Sequence, residues 1–329
     1  MGSPLIRPLL LRCAVGALAL TGCSTAGPPA GPGSASSTTS TAADLGTVRT
    51  IDLQAHRGGA GERSENTLPA FQHAMELGVT TLELDTHITK DRIVVINHDN
   101  DVNDEICQDT APATTGDPEY PYAGKLIKNL TLAQLSTLDC GTTKNPTFPS
   151  QQPTAGARIV ALSALFDLTK SLGDSTIRFN IEIKIDTDKL DESVPRQEFA
   201  QLLQEQITKA GMTKRVTIQS FDWPSLQVMH GIDPSLPLVA LSSGIGAGLV
   251  AAATRIDGLT AVSPKLGDLT PEIVSEAHAA ELKVIPWTVD SEADMTSMLA
   301  LGVDGVITNY PSILRDLLQR NGFPVPPPT

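Results

Sequence analysis

Glu83 and Asp85 stand one residue apart in the apolar run TTLELDT, and Glu182 and Lys184 repeat that spacing in RFNIEIK. Alternate residues of a β-strand share a face, so each pair presents two charged groups to the same side. If both faces point into one opening, three carboxylates converge. Such a group repels itself unless a cation sits among it. An all-oxygen donor set selects one hard divalent ion, Ca²⁺ or Mg²⁺, over zinc. Either pair alone reads better as a solvated strand face with surface ion pairs. Two pairs on successive strands make that alternative harder to sustain.

Histidines supply the complementary chemistry. His56 and Arg57 stand together at the end of TIDLQA, and His98 precedes Asp99 after the apolar run IVVI. Two histidines beside a divalent cation, an arginine and a lysine describe phosphoryl chemistry. One imidazole takes a proton from the nucleophile and the other gives one to the leaving oxygen. The cation, Arg57 and Lys184 would neutralise charge building on the phosphoryl oxygens. His87 extends the Glu83–Asp85 alternation. It reads as a further ligand or as a residue beyond the strand end, and solvent is its expected surrounding. His73, His230 and His278 fall in helical stretches and read as trim.

The elements that would hold these groups alternate. Eight β-rich runs are separated by stretches of helical period: TIDLQA, TTLELDT, RFNIEIK, RVTIQSF, LPLVALS, GLTAVSP, LKVIPWTV and DGVITN. In the first helical stretch Phe71, Ala74 and Met75 share a face and Gly78 supplies the stop. Apolar strands between helices argue a parallel sheet covered on both faces. Eight such units suit a closed (β/α)₈ TIM barrel, an α/β fold. An open doubly wound sheet is the alternative, weakened because no Gly-rich fingerprint follows the first strand. Barrel chemistry sits at the C-terminal strand ends. The polar residues there are His56 and Arg57, Glu83 and Asp85, Glu182 and Lys184, Gln219, then Lys265 after the sixth strand and Trp287 on the seventh. AMELGVTTLELD resembles MLALGVDGVITN, each reading as helix end, glycine stop and strand. DRIVVINHD follows the second strand too closely to be the next barrel strand, which predicts a hairpin. A long polar insertion, about 100–158, comes after it and holds Cys107, Cys140, Tyr120 and Tyr122.

The chain has 329 residues and a formal net charge of −13, so no basic stripe exists to hold nucleic acid. Arg7 and Arg12, a short apolar core and LTGC give residues 1–23 the layout of a secretory signal whose final cysteine, Cys23, carries lipid. The expectation is an extracytoplasmic protein anchored to the cell membrane. Residues 24–47 are small and polar, and read as a disordered tether. Residues 48–320 form the barrel and 321–329 a Pro-rich tail. Outside the cytoplasm Cys107 and Cys140 are expected to pair.

HRG, ENT, ELD, HD, IEIK, QSF, WTV and DGVITNYP occur in that order, and the series resembles the glycerophosphodiester phosphodiesterase family across residues 50 to about 318. The resemblance implies a (β/α)₈ barrel that hydrolyses glycerophosphodiesters to glycerol 3-phosphate and an alcohol. It gives His56 and His98 the acid and base roles, and Glu83, Asp85 and Glu182 the metal. Arg57 and Lys184 match phosphate-binding positions, and Phe221 and Trp287 match apolar pocket positions. The implied mechanism is substrate-assisted: a glycerol hydroxyl attacks phosphorus, a cyclic phosphate forms, and water opens it. Two departures stand out. Ser64 occupies a place where the family often has proline, and Arg92 one where glycine usually turns the hairpin. The rival functions are a phosphodiesterase of the phospholipase-D-like sister group acting on lysolipids or sphingolipids, and a non-catalytic lipoprotein that captures phosphodiesters. The mostly polar insertion favours a small soluble substrate.

Overall fold

The computed structural model describes residues 49–328. The expected signal, Cys23 and the tether lie outside the described residues. Eight parallel strands form the barrel wall: β1 (Asp52–Ala55), β2 (Thr81–Ile88), β4 (Arg178–Ile183), β5 (Val216–Ser220), β6 (Leu238–Ser242), β7 (Leu259–Pro264), β8 (Lys283–Val284) and β9 (Gly305–Thr308). The short β3 (Val94–Ile96) pairs antiparallel with β2, with His87 opposite Val95. Hydrogen-bonded order runs β8-β7-β6-β5-β4-β2-β1-β9. The seam between β8 and β9 carries no regular ladder. Backbone bonds close it instead, from Asp304 to Val284 at 2.9 Å, from Ile307 to Pro286 at 3.0 Å and from Val289 to Ile307 at 3.0 Å.

A helix follows each barrel strand and covers it from outside. The first, Leu68–Leu77, is capped by Thr67, whose side chain accepts from Ala70 N, and ends at Gly78 with φ 74. That cap satisfies one of the amides left free at a helix start. Phe71, Ala74 and Met75 are buried beneath it, the face expected from their spacing. The helix Glu292–Leu301 ends the same way at Gly302 before β9, so the sequence echo is a shared unit. Phe71, Phe166, Phe179 and Phe199 are fully buried between wall and helices, and Phe166 meets Phe179 edge to face at 5.1 Å.

The lumen is divided. On the β6–β9 side Val239, Ala261, Ile285 and Ile307 form a small apolar cluster under Trp287. On the other side it is polar. Asn180 donates to Gln54 Oε1 at 2.9 Å and to Gln219 Oε1 at 2.7 Å, linking β1, β4 and β5 across the interior.

The hairpin after β2 is present. Arg92, at its turn, has φ 62, a left-handed conformation that favours glycine. Thr89 Oγ1 accepts from Ile93 N at 2.9 Å and holds the turn, and Arg92 Nε pairs with Glu198 at 2.7 Å. The insertion is more than a polar loop. Val102, Tyr122, Ile127, Leu130, Leu135 and Leu138 bury together around the Cys107–Cys140 disulfide. Tyr122 is fully buried and its hydroxyl donates to Asp117 at 2.7 Å. These apolar residues have no local period, so their cluster exists only once the segment closes on itself. The Pro-rich tail is also engaged: Phe323 and Val325 pack against the main core, and Pro326 and Pro327 lie against Gly78.

Candidate active site

The site begins where β1 runs out. The chain turns through His56–Gly58 with Arg57 at φ 53 and Gly58 at φ 82. A left-handed arginine costs about 1–2 kcal/mol. The turn is held because Arg57 N donates to Glu83 Oε2 at 2.9 Å. Gly58 has no alternative residue, since a Cβ there would come within 2.9 Å of Ala70 Cβ. The strain places the histidine and the arginine over the mouth of β2.

Strand register then assembles the carboxylates. Glu83 and Asp85 face inward from β2, and Glu182 on β4 lies directly opposite Asp85. Glu83, Asp85 and Glu182 are all buried, and one oxygen from each lies within 4.8 Å of the others. Burial and the neighbouring carboxylate of Asp85 push Glu83 well above the usual carboxylate range. Burial likewise pushes Glu182 up to about 8, against the pull of Lys184. Burial works to raise Asp85 too, but His98, Lys184 and Arg57 around it hold that carboxyl well below its ordinary range.

This donor set fits a divalent cation. It is all oxygen, buried and short of compensating charge. Asn66 donates to Asp85 Oδ2 at 3.0 Å, while its own buried Oδ1 has no hydrogen-bond partner. Two cations from the chain lie at the rim. Arg57 pairs with Glu65 at 2.7 Å and stands 3.5 Å from Asp85, its buried Nε without a hydrogen bond. Lys184 Nζ is 3.4 Å from Glu182 and 3.8 Å from Asp85. Burial works against the Lys184 charge, but Glu182 and Asp85 raise its pKa overall.

Two histidines flank the carboxylates, each fixed by its second nitrogen. His56 Nδ1 meets Asn309 Oδ1 at 2.6 Å. The Asn309 amide is itself oriented, because its Nδ2 donates to Asp290 at 2.7 Å. An amide oxygen only accepts, so His56 carries its proton on Nδ1 and leaves Nε2 as a free base. Burial, and then the charge of Arg57, lower His56 to about 3 and keep it neutral. His98 Nδ1 meets the Asp99 carboxylate at 2.7 Å, while its Nε2 faces Lys184 Nζ at 3.1 Å. The bond to His98 holds Asp99 down at about 2.

His56, Arg57, Glu83, Asp85, His98, Glu182 and Lys184 therefore line one cleft, with Phe221 and Trp287 on its far wall. Those two rings meet edge to face at 5.1 Å, and Trp287 Nε1 donates to Ser263 O at 3.0 Å. Lys265 is exposed and stands outside the cleft. The expectation for His87 is corrected: it is buried, not solvated, and Nε2 bonds to His98 O at 3.1 Å. The cause is the β2–β3 hairpin, which folds over the end of β2 and covers it.

The model of the glycerophosphoryl diester phosphodiesterase family matches residues 56–313. This chain belongs to that family. A glycerophosphodiester phosphodiesterase from Caldanaerobacter subterraneus subsp. tengcongensis is 32% identical over 271 residues, covering 82% of this chain and 98% of the relative. Among solved structures, one from Silicibacter pomeroyi DSS-3 with a provisional glycerophosphoryl diester phosphodiesterase assignment superposes with a TM-score of 0.75 at 28% identity, covering 84% of this chain and 95% of that one. A phosphodiesterase from Oleispira antarctica, solved with the product sn-glycerol-3-phosphate, shares the fold at a TM-score of 0.65 and 22% identity, covering 83% and 97% of the two chains. The chain is thus a phosphoric diester hydrolase with a TIM-barrel fold.

Several groups of this phosphodiesterase cleft carried no role in the sequence reading. Asn309 and Asp290 orient His56, Glu65 holds Arg57, Asn66 reaches Asp85, and Gln219 Nε2 donates to Glu83 Oε1 at 2.7 Å. Four of them lie in quoted motifs, Glu65 and Asn66 in ENT, Gln219 in QSF and Asn309 in DGVITNYP. Their signal was position at the C-terminal rim. Uncharged or already paired, they gave no hint of which partner they serve.

Proposed function

We propose that this phosphodiesterase cleaves glycerophosphodiesters to glycerol 3-phosphate and an alcohol, with His56 and His98 as base and acid and one divalent cation, Ca²⁺ or Mg²⁺, held by Glu83, Asp85 and Glu182. The observation carrying this reading is the pair of oppositely mounted histidines over a buried trio of carboxylates. The product bound by the Oleispira antarctica enzyme agrees with it.

The phosphoryl group would lie beneath Arg57 and Lys184, whose fixed charges oppose the negative charge that develops on its oxygens. His56 Nε2, held free by Asn309, takes the proton of the glycerol hydroxyl next to the diester. That oxygen bonds to phosphorus as the bond to the departing alcohol breaks. The alcohol oxygen takes its proton from His98, whose ring Asp99 orients through Nδ1. The cyclic phosphate is then opened by water, with the proton transfers reversed. When bound, the cation supplies further neutralisation of the phosphoryl oxygens and of the carboxylates beneath them.

Glycerol 3-phosphate release from glycerophosphocholine tests this with Ca²⁺, with Mg²⁺ and with chelator. Release that requires one of the two ions, and falls about 10²–10⁴-fold in folded His56→Ala and His98→Ala proteins, is expected. Metal-independent release, or near-normal turnover in either variant, would overturn the roles assigned. Residues 1–23 support an extracytoplasmic protein anchored through Cys23, which mass spectrometry of the mature N-terminus would check.

A further inference from the structure

The barrel has a second mouth. At the N-terminal ends of the strands, opposite the cleft, lies a cavity of about 440 Å³ walled by residues from β1 through β8. None of its lining residues belongs to the active cleft. It reaches the divided lumen from below, with Gln54 and Asn180 on one side and Val239, Ala261 and Ile285 on the other.

Among the described residues, five buried side-chain polar atoms have no hydrogen-bond partner. Arg57 Nε and Asn66 Oδ1 stand beside the carboxylates of the active site. Asn180 Oδ1 and Arg215 Nη2 belong to residues in the wall of the lower cavity, and His230 Nδ1 is the fifth. Buried polar atoms are nearly always paired, so two orphans in one cavity wall, as in the active site, mark a place that a ligand completes. Both side chains are fixed. Asn180 Nδ2 donates to Gln54 and Gln219, which sets the direction of its amide. Arg215 donates through Nε to Ile177 O at 2.7 Å and through Nη1 to Asp174 O at 3.0 Å, over the Phe179 ring. Burial lowers the Arg215 pKa against the pull of Asp174, as befits a cation short of negative charge.

The rim adds charge of the same sign. Lys214 and Lys283 are exposed there and enter no ion pair among the described residues. Arg178 pairs with Asp52 at 2.8 Å, and Asp52 also accepts from Thr80, Thr81 and Gln54. Four cations, Arg178, Lys214, Arg215 and Lys283, thus line a cavity with two carboxylates, Asp52 and Glu281, in a chain whose net charge is −13.

We propose that this lower mouth is a binding site for a small phosphate monoester with a compact apolar group. Its oxyanion lies among Lys214, Arg215 and Lys283, and its apolar part lies against Val239, Ala261 and Ile285. Three cations without carboxylate partners around one opening suit a dianion. Inorganic phosphate would leave the apolar half of the cavity wet, and a neutral alcohol would leave the cations unanswered. The site is independent of the reaction proposed above.

The test is calorimetric titration of the full-length protein with hexyl phosphate, and separately with inorganic phosphate and with hexanol. Hexyl phosphate is expected to bind about tenfold or more tighter than either fragment, and more weakly as salt is raised. In the double variant Lys214→Gln/Lys283→Gln its affinity falls about tenfold. Both lysines are exposed, so the barrel still folds, and turnover of glycerophosphocholine is unchanged. Arg57→Gln, at the opposite end of the barrel, leaves the high-affinity titration as it was. The proposal is overturned by an absence of saturable binding, by hexyl phosphate binding no tighter than inorganic phosphate, or by an affinity that the lysine pair does not alter. A loss in Arg57→Gln with none in the lysine variant would place the ligand in the cleft and overturn it equally.

Discussion

At the scale of single residues, hydrogen bonds set which nitrogen of His56 carries a proton. Asp290 orients the Asn309 amide, Asn309 Oδ1 accepts a hydrogen bond from His56 Nδ1, and burial with Arg57 keeps the imidazole neutral. Asn309 is therefore a positioning residue, and removing it should affect the rate more than binding. Asn309→Leu is expected to lower kcat about 10²-fold with KM changed little, because the imidazole can then adopt the wrong tautomer. Steady-state kinetics on protein shown to be folded by circular dichroism would check this, and an unchanged kcat would remove Asn309 from the mechanism. Arg57 illustrates the converse. Its left-handed backbone is tolerated because Glu83, Glu65 and Asp85 all hold it.

At the scale of elements, the barrel interior supports the site from below. Gln54, Asn180 and Gln219 form a hydrogen-bonded ladder across β1, β4 and β5, and its last member reaches Glu83. Every group in it is nearly inaccessible. A side chain in that position fixes the rotamer of the carboxylate, much as outer groups fix the ligands of a metal site. Gln219→Leu should weaken divalent-cation binding about 10–100-fold, read by calorimetric titration independently of turnover. Unaltered affinity would show the ladder to be filler. The loop after β5 has a second anchor. Asp222, buried, accepts from Arg196 Nε at 2.6 Å and Nη2 at 2.7 Å. Burial alone would raise its pKa, but Arg196 and Ser225 hold it below the ordinary value. A depressed carboxylate stabilises the fold above its unfolded pKa, and that contribution is lost as pH falls through the folded one. Asp222→Ala should cost about 1–3 kcal/mol at neutral pH, with the difference from wild type shrinking in acid, as measured by urea unfolding.

At the scale of the whole molecule, the insertion and the barrel depend on each other. Gln151 Nε2 donates to Ala60 O at 2.7 Å, and Asn145 Nδ2 donates to Glu65 Oε2 at 3.0 Å. Glu65 is the partner of Arg57, so the insertion steadies the arginine from outside. The Cys107–Cys140 disulfide closes the segment just ahead of these contacts. Replacing both cysteines with serine should destabilise the protein by about 3–4 kcal/mol in the chain-entropy account. It should also raise KM, because Glu65 loses a neighbour that fixes it. Denaturant unfolding together with kinetics would test both effects, and an unchanged KM would show that the insertion does not reach the site.

The repeating strand and helix units, the β2–β3 hairpin and the charged groups that line the cleft are legible in the amino-acid sequence. These are legible because period, glycine stops and paired charges at strand ends are local signals. The disulfide was legible from cysteine arithmetic. Tertiary structure alone decided the rest. Asn309 meets His56 across 253 positions of sequence, and Gln219 meets Glu83 across 136, so no local pattern could pair them. His87 was misread for the same reason, since only the hairpin folded back over β2 reveals that it is covered. The insertion's core arises where distant loops close, and an amide or a carboxylate gains its role from the partner that closure delivers.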